Sequence, residues 1–135
     1  MRALALAVVF AASGCGLAPQ CSTRALDVSE VCADGGVLAA NTALTVQVRE
    51  SCGSACGKNT MFACNGVLSG SVITLAPTIS ECVDPMTACP AVCRISAVDC
   101  AIPALAAGTY TLSGTGFTSQ QLVISASATA SACRF

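Results

Sequence analysis

From residue 26 to the end of the chain, apolar positions recur every second residue rather than every third or fourth, and turn residues interrupt them at intervals of about eight to twelve positions. The stretch 26–32 (LDVSEVC) predicts a first strand closed by Ala33-Asp34-Gly35-Gly36. In 43–50 (ALTVQVRE), Leu44, Val46 and Val48 alternate with Thr45, Gln47 and Arg49, the pattern of a strand with one face buried. Residues 51–60, with Gly53, Gly57 and Asn59, predict a loop. Asn65-Gly66, between 62–64 and 67–68, predicts a tight hairpin, and 71–76 (SVITLA) a further strand ended by Pro77. Pro85 and Pro90 exclude a helix between 81 and 93, and 92–100 resumes as strand. At the end, Tyr110-Thr111-Leu112, the turn 113–116 and 121–127 (QLVISAS) predict a terminal hairpin with Leu122 and Ile124 on one face. The fold class is therefore all-β, a disulfide-rich antiparallel β-sandwich.

Cysteine changes the picture most. Eleven are present, and seven fall between Cys52 and Cys100. The chain has 135 residues, 10% charged, with no Trp, one Tyr and four Phe, so its core is thin and cross-links must compensate. Three readings of the block compete. Cys52 and Cys56 with Cys89 and Cys93 have the spacing of two halves of a zinc site, but that leaves six cysteines over besides Cys15, and there is no His for a second site. No Cys-x-x-Cys occurs, so a redox centre is disfavoured. Disulfides account for the block better, and no metal or cofactor is called for.

Residues 1–14 read as a targeting segment: Arg2, the apolar run 3–12, then Ser13 and Gly14. The run is shorter than the ~20 residues a membrane span needs. Ala12-Ser13-Gly14-Cys15 resembles the lipobox of bacterial lipoproteins, in which the cysteine is acylated and becomes the first mature residue. The resemblance implies lipidation of Cys15, a membrane as partner, and a location in the bacterial cell envelope. Gly16 after the cysteine, where the family's inner-membrane members carry Asp, leans toward the outer membrane. The domains expected are a signal peptide 1–14, a lipidated tether 15–24 and a stapled sandwich 25–135. An ordinary signal peptide cut near Ala18 is the alternative, and Pro19 disfavours it.

Parity supports the lipidated reading, since setting Cys15 aside leaves ten cysteines: Cys21, Cys32, Cys52, Cys56, Cys64, Cys82, Cys89, Cys93, Cys100 and Cys133. Seven of these lie in the block, so at least one bond must leave it. The simplest assignment pairs Cys21 with Cys32 and sends Cys133 into the block.

Leu105-Ala106-Ala107-Gly108-Thr109-Tyr110 resembles the Leu-x-x-Gly-x-Tyr tyrosine corner of immunoglobulin-like and fibronectin-like sandwiches. That resemblance implies an immunoglobulin-like architecture and a Tyr110 hydroxyl bonded to backbone a few residues upstream. It implies nothing about function.

Catalytic chemistry finds little support. Without His there is no Ser–His–Asp or Cys–His arrangement. Lys58 is the sole lysine, and Ser54 is its one neighbour for a dyad. The carboxylates Asp27, Glu30, Asp34, Glu50, Glu81, Asp84 and Asp99 form no calcium loop and read as solvated edges and loops. With a net charge of -1 and its few basic residues scattered along the chain, the protein is not expected to take nucleic acid as a partner. The function expected is a structural or recognition module and not an enzyme, binding an envelope protein or a glycan through the loops 51–60 and 81–91. Lys58, Asn59, Pro85, Met86 and Thr87 are the candidate contact residues. An exported inhibitor or carbohydrate-binding module is the alternative, and an enzyme would show itself as a clustered, buried carboxylate pair.

Overall fold

A computed structural model of the chain describes residues 18–32 and 37–135. The expected signal peptide, Cys15 and the turn at 33–36 lie outside the described residues. Among those described there is no helix.

The frame is β4 (Leu44–Glu50), whose alternation is realised in full: Leu44, Val46, Val48 and Glu50 are buried, with half-buried residues between them. Its one edge carries β11 (Ala97–Ile102), antiparallel, with Val98 opposite Val48 and Cys100 opposite Val46. The other edge is shared end to end by two short strands. β2 (Val28–Val31) pairs antiparallel with residues 48–50, and β14 (Ala132–Cys133) pairs parallel with Thr45 and Val46. Between them Cys32 N–H donates to the Gln47 carbonyl at 2.9 Å.

A second, five-stranded sheet runs in the order β3 (Val37–Ala39), β13 (Gln120–Ser125), β12 (Gly108–Gly114), β8 (Val72–Leu75) and β7 (Gly66–Ser69). The β12–β13 hairpin is antiparallel, as the alternation predicts, and buries Leu122 and Ile124. The β3–β13 and β8–β12 pairings are parallel, so the sheets are mixed although antiparallel pairs prevail. Leu38, Ile73, Leu75, Leu112, Leu122 and Ile124 of this sheet join Val46, Val48, Val98 and Ile102 of the β4 sheet in one apolar cluster, a sandwich-like core. Tyr110 packs on its margin and donates its hydroxyl to the Ala106 carbonyl at 3.1 Å.

The remaining strands form an outwork. β1 (Gln20–Ala25), β9 (Thr78–Val83) and β6 (Lys58–Ala63) make a three-stranded antiparallel sheet with β9 in the middle. β5 (Gly53–Ser54) and β10 (Cys93–Arg94) pair as a two-stranded ribbon.

Five disulfides tie these pieces together: Cys21–Cys82, Cys32–Cys133, Cys52–Cys93, Cys56–Cys89 and Cys64–Cys100. One bond leaves the block, as parity requires, but the assignment of Cys21 to Cys32 and of Cys133 to the block is corrected. Cys21 sits opposite Cys82 in the β1–β9 register, in a different sheet from Cys32. Cys32 directly follows β2 and Cys133 ends β14, the two strands that share an edge of β4, and their bond splices them. The closed loops span sequence separations of 33 to 101 residues, each contributing about 3.7–4.7 kcal/mol in the loop-entropy account.

Two further expectations are revised. Residues 20–24, assigned to a tether, belong to β1, because Cys21 and a full register with β9 hold them. Asn65-Gly66 closes no hairpin: β6 pairs in one sheet and β7 in another, and the chain crosses between them at the buried, disulfide-bonded Cys64. A Cβ at Gly66 would stand 3.0 Å from the Ile73 and Ile102 side chains, so the crossing needs glycine for close approach. The hairpin lies one step later, between β7 and β8, where Gly70 takes φ 59°, the glycine position of a type II′ turn.

Candidate functional site

The stapled loops meet on one side of the outer sheet. Residues 51–57 and 84–93 are joined by Cys52–Cys93, Cys56–Cys89 and the β5–β10 ribbon. The four cysteines that had zinc-site spacing are thus brought together, as two disulfides.

Beneath the ribbon lies the feature that sequence reading missed. Glu50 and Glu81, expected among solvated carboxylates, are buried, with 1% and 6% of their surface exposed. Arg94 stands between them, its Nε 3.7 Å from Glu50 Oε2 and its Nη2 3.6 Å from Glu81 Oε2. Arg24 on β1 completes the group, with Nη2 3.2 Å from Glu81 Oε1. Arg94 also donates from Nη1 to the Thr60 hydroxyl at 3.3 Å, and its guanidinium lies 5.7 Å from the centre of the Phe62 ring. Two carboxylates and two guanidiniums balance, which is what permits them to leave water. Neither Glu50 oxygen makes a hydrogen bond to a protein group, so Glu50 depends on the ion pair alone.

Glycine closes the cluster. Gly53 packs its backbone on the Glu50 carboxylate and Gly57 on that of Glu81, leaving no room for a Cβ at either position. An acid–base pair needs space for a reacting atom between its carboxyls. Here a guanidinium fills that space and the ribbon covers it. Among the described residues no cluster of His, Cys, Asp or Glu is arranged to hold a metal ion.

The five candidate contact residues gather at one end of the outer sheet. Lys58 begins β6 opposite Cys82, and Asn59 follows in a bulge with φ 52°; both are exposed. Pro85, Met86 and Thr87 follow directly from β9 and are also exposed. Their loop is a turn built on Asp84. The Asp84 side chain accepts from Met86 N–H at 3.0 Å, and its carbonyl accepts from Thr87 N–H at 3.2 Å. A hydrogen bond from the Met86 backbone, then one from the Thr87 side chain, hold the Asp84 carboxyl below the ordinary aspartate range, and the charge of Lys58 acts in the same direction. Beside them Thr23, Asn59, Met61, Ser80, Glu81 and the Cys21–Cys82 bond line a groove of about 360 Å³.

No family model, curated protein or solved structure matches the chain.

Proposed function

We propose that the protein is a bacterial cell-envelope lipoprotein of the outer membrane, anchored through acylated Cys15, whose immunoglobulin-like stapled domain acts as a structural or recognition module and not as an enzyme. The observation that carries this reading is the cysteine account. Five disulfides use ten of the eleven cysteines, and the eleventh is the one in the lipobox-like segment. Disulfides at this density fit an exported chain, because the cytosol keeps thiols reduced. Stapled loops lose little entropy on binding, which suits display of a preformed surface. The Tyr110–Ala106 bond, next to buried Leu105, is of the kind a tyrosine corner makes and supports the immunoglobulin-like reading. The filled, covered Glu50–Arg94–Glu81 cluster favours a structural role for the buried carboxylates.

A glycan-binding module is the second reading. The outward side of the five-stranded sheet favours it, where Thr74, Thr109, Thr111, Ser113 and Gln121 alternate with the inward apolar residues and present hydroxyls and an amide without charge. Metabolic labelling with a fatty-acid analogue tests the anchor: the analogue enters the protein and is lost in the Cys15→Ser variant. Labelling that persists in that variant overturns it. Glycan arrays against pull-down from envelope extracts separate the two readings of the partner.

A further inference from the structure

β1 fixes where the chain enters the fold. Its first residue, Gln20, pairs with Val83, and one step in Cys21 is bonded to Cys82. Four residues, 16–19, separate Gln20 from Cys15. Fully extended, that connection reaches about 17 Å, whereas a domain of this size is roughly 30 Å across. A surface to which Cys15 is fixed is therefore met by the end of the molecule around Gln20 and not by its far side.

That end carries a particular chemistry. Val83, 36% exposed, leads into Pro85 and Met86, and Met86 at 77% is the most exposed large hydrophobic side chain among the described residues. Lys58, across from Cys82, supplies one positive charge, and Asp84, within range of it, one negative. An apolar tip with balanced charge suits the headgroup–acyl boundary of a bilayer, where amphipathic surfaces bury their apolar side by a few ångströms.

We infer, resting on the reading that Cys15 is acylated, that the end of the outer sheet formed by Val83, Pro85, Met86 and Lys58 is a lipid-contact surface that holds the domain against the membrane beside its anchor. Met86 and Val83 enter the boundary, and Lys58 lies at the level of the lipid phosphates. The Asp84 carboxylate stays turned to the Met86 N–H and the Lys58 charge. Because the charges balance, apolar area drives the contact and anionic lipid is not required.

The test uses the full acylated protein in vesicles of phosphatidylethanolamine with a minority of phosphatidylglycerol, doped with a phospholipid carrying a diazirine near its headgroup. Flotation reports the anchor; illumination and peptide mapping report the face. The expected result is flotation with adducts on residues 58–61 and 83–87 at least about ten-fold above those on β12 and β13, in keeping with shallow interfacial burial. The Met86→Glu variant floats equally but loses adducts at 83–87 several-fold. Flotation with adducts spread evenly, concentrated on β12 and β13, or unchanged by Met86→Glu overturns the contact surface while the anchor stands. Failure to float overturns acylation and this inference with it.

Discussion

Arg94→Met removes the cation that the two buried carboxylates share. Glu50 and Glu81 have side chains 1% and 7% exposed, and Arg94 is 25% exposed. Breaking a buried pair by deleting one partner costs about 3–5 kcal/mol, because the charge left behind has lost both water and its counterion. Arg24 still faces Glu81, so the lower end applies, about 3 kcal/mol, which in a domain of this size lowers the melting midpoint by about 10 °C. Methionine keeps most of the arginine stem, so the loss reports charge and not volume. Adding Glu50→Gln to Arg94→Met removes the uncompensated charge and should recover more than half of the loss, whereas two independent effects would add. The assay is thermal unfolding of the oxidised protein by circular dichroism. An Arg94→Met protein within about 0.5 kcal/mol of the parent, the size of an ordinary surface substitution, would refute the view that this cluster holds the ribbon down.

Gly53→Ala should destabilise by about 1–3 kcal/mol, since its Cβ enters the space of the Glu50 carboxylate, whereas Gly108→Ala, whose nearest neighbour is the Tyr110 ring at 3.7 Å, should fall within about 0.5 kcal/mol; chemical denaturation checks both. Under mild reduction with a dithiol, Cys52, Cys89 and Cys93, which are exposed, should be alkylated well before Cys64, Cys100, Cys32 and Cys133, which are buried, and full reduction should abolish the cooperative melt. Alkylation of the buried pairs first would contradict the packing. The Asp84 pKa is lowered by folding, so its contribution is complete above the unfolded value of 3.8 and is lost as pH falls through the lower folded value. The Met86 amide resonance should therefore titrate with a midpoint below 3.8, and a midpoint at or above 3.8 would contradict it.

Period-two alternation carried most of this fold. It placed β4, β8 and the β12–β13 hairpin, and it held a signal that went unused: Glu50 follows Leu44, Val46 and Val48 on the same face, and Glu81 follows Ile79 in β9. A glutamate in phase with a buried face implies a cation brought to it, here Arg94 from 44 residues further along the chain. What local pattern could not supply was pairing at a distance. Asn65-Gly66 is a strong turn signal overruled by the Cys64–Cys100 bond, and Cys21 finds Cys82 only because β1 pairs with β9. Parity required a bond out of the cysteine block but could not say which. The parallel pairings of β3, β8 and β14 join segments far apart in sequence, and strand patterns alone do not encode such neighbours. Of the candidate site, alternation and turn chemistry indicated the loops but not the ion cluster under them.

The central claim, one acylated cysteine and ten in disulfides, is tested most directly by the intact mass of protein purified from the envelope, before and after reduction and alkylation. The account predicts acyl chains at Cys15, no alkylated thiol before reduction and ten after it. A chain without acyl mass that takes up eleven alkyl groups, or one with free thiols before reduction, would contradict it.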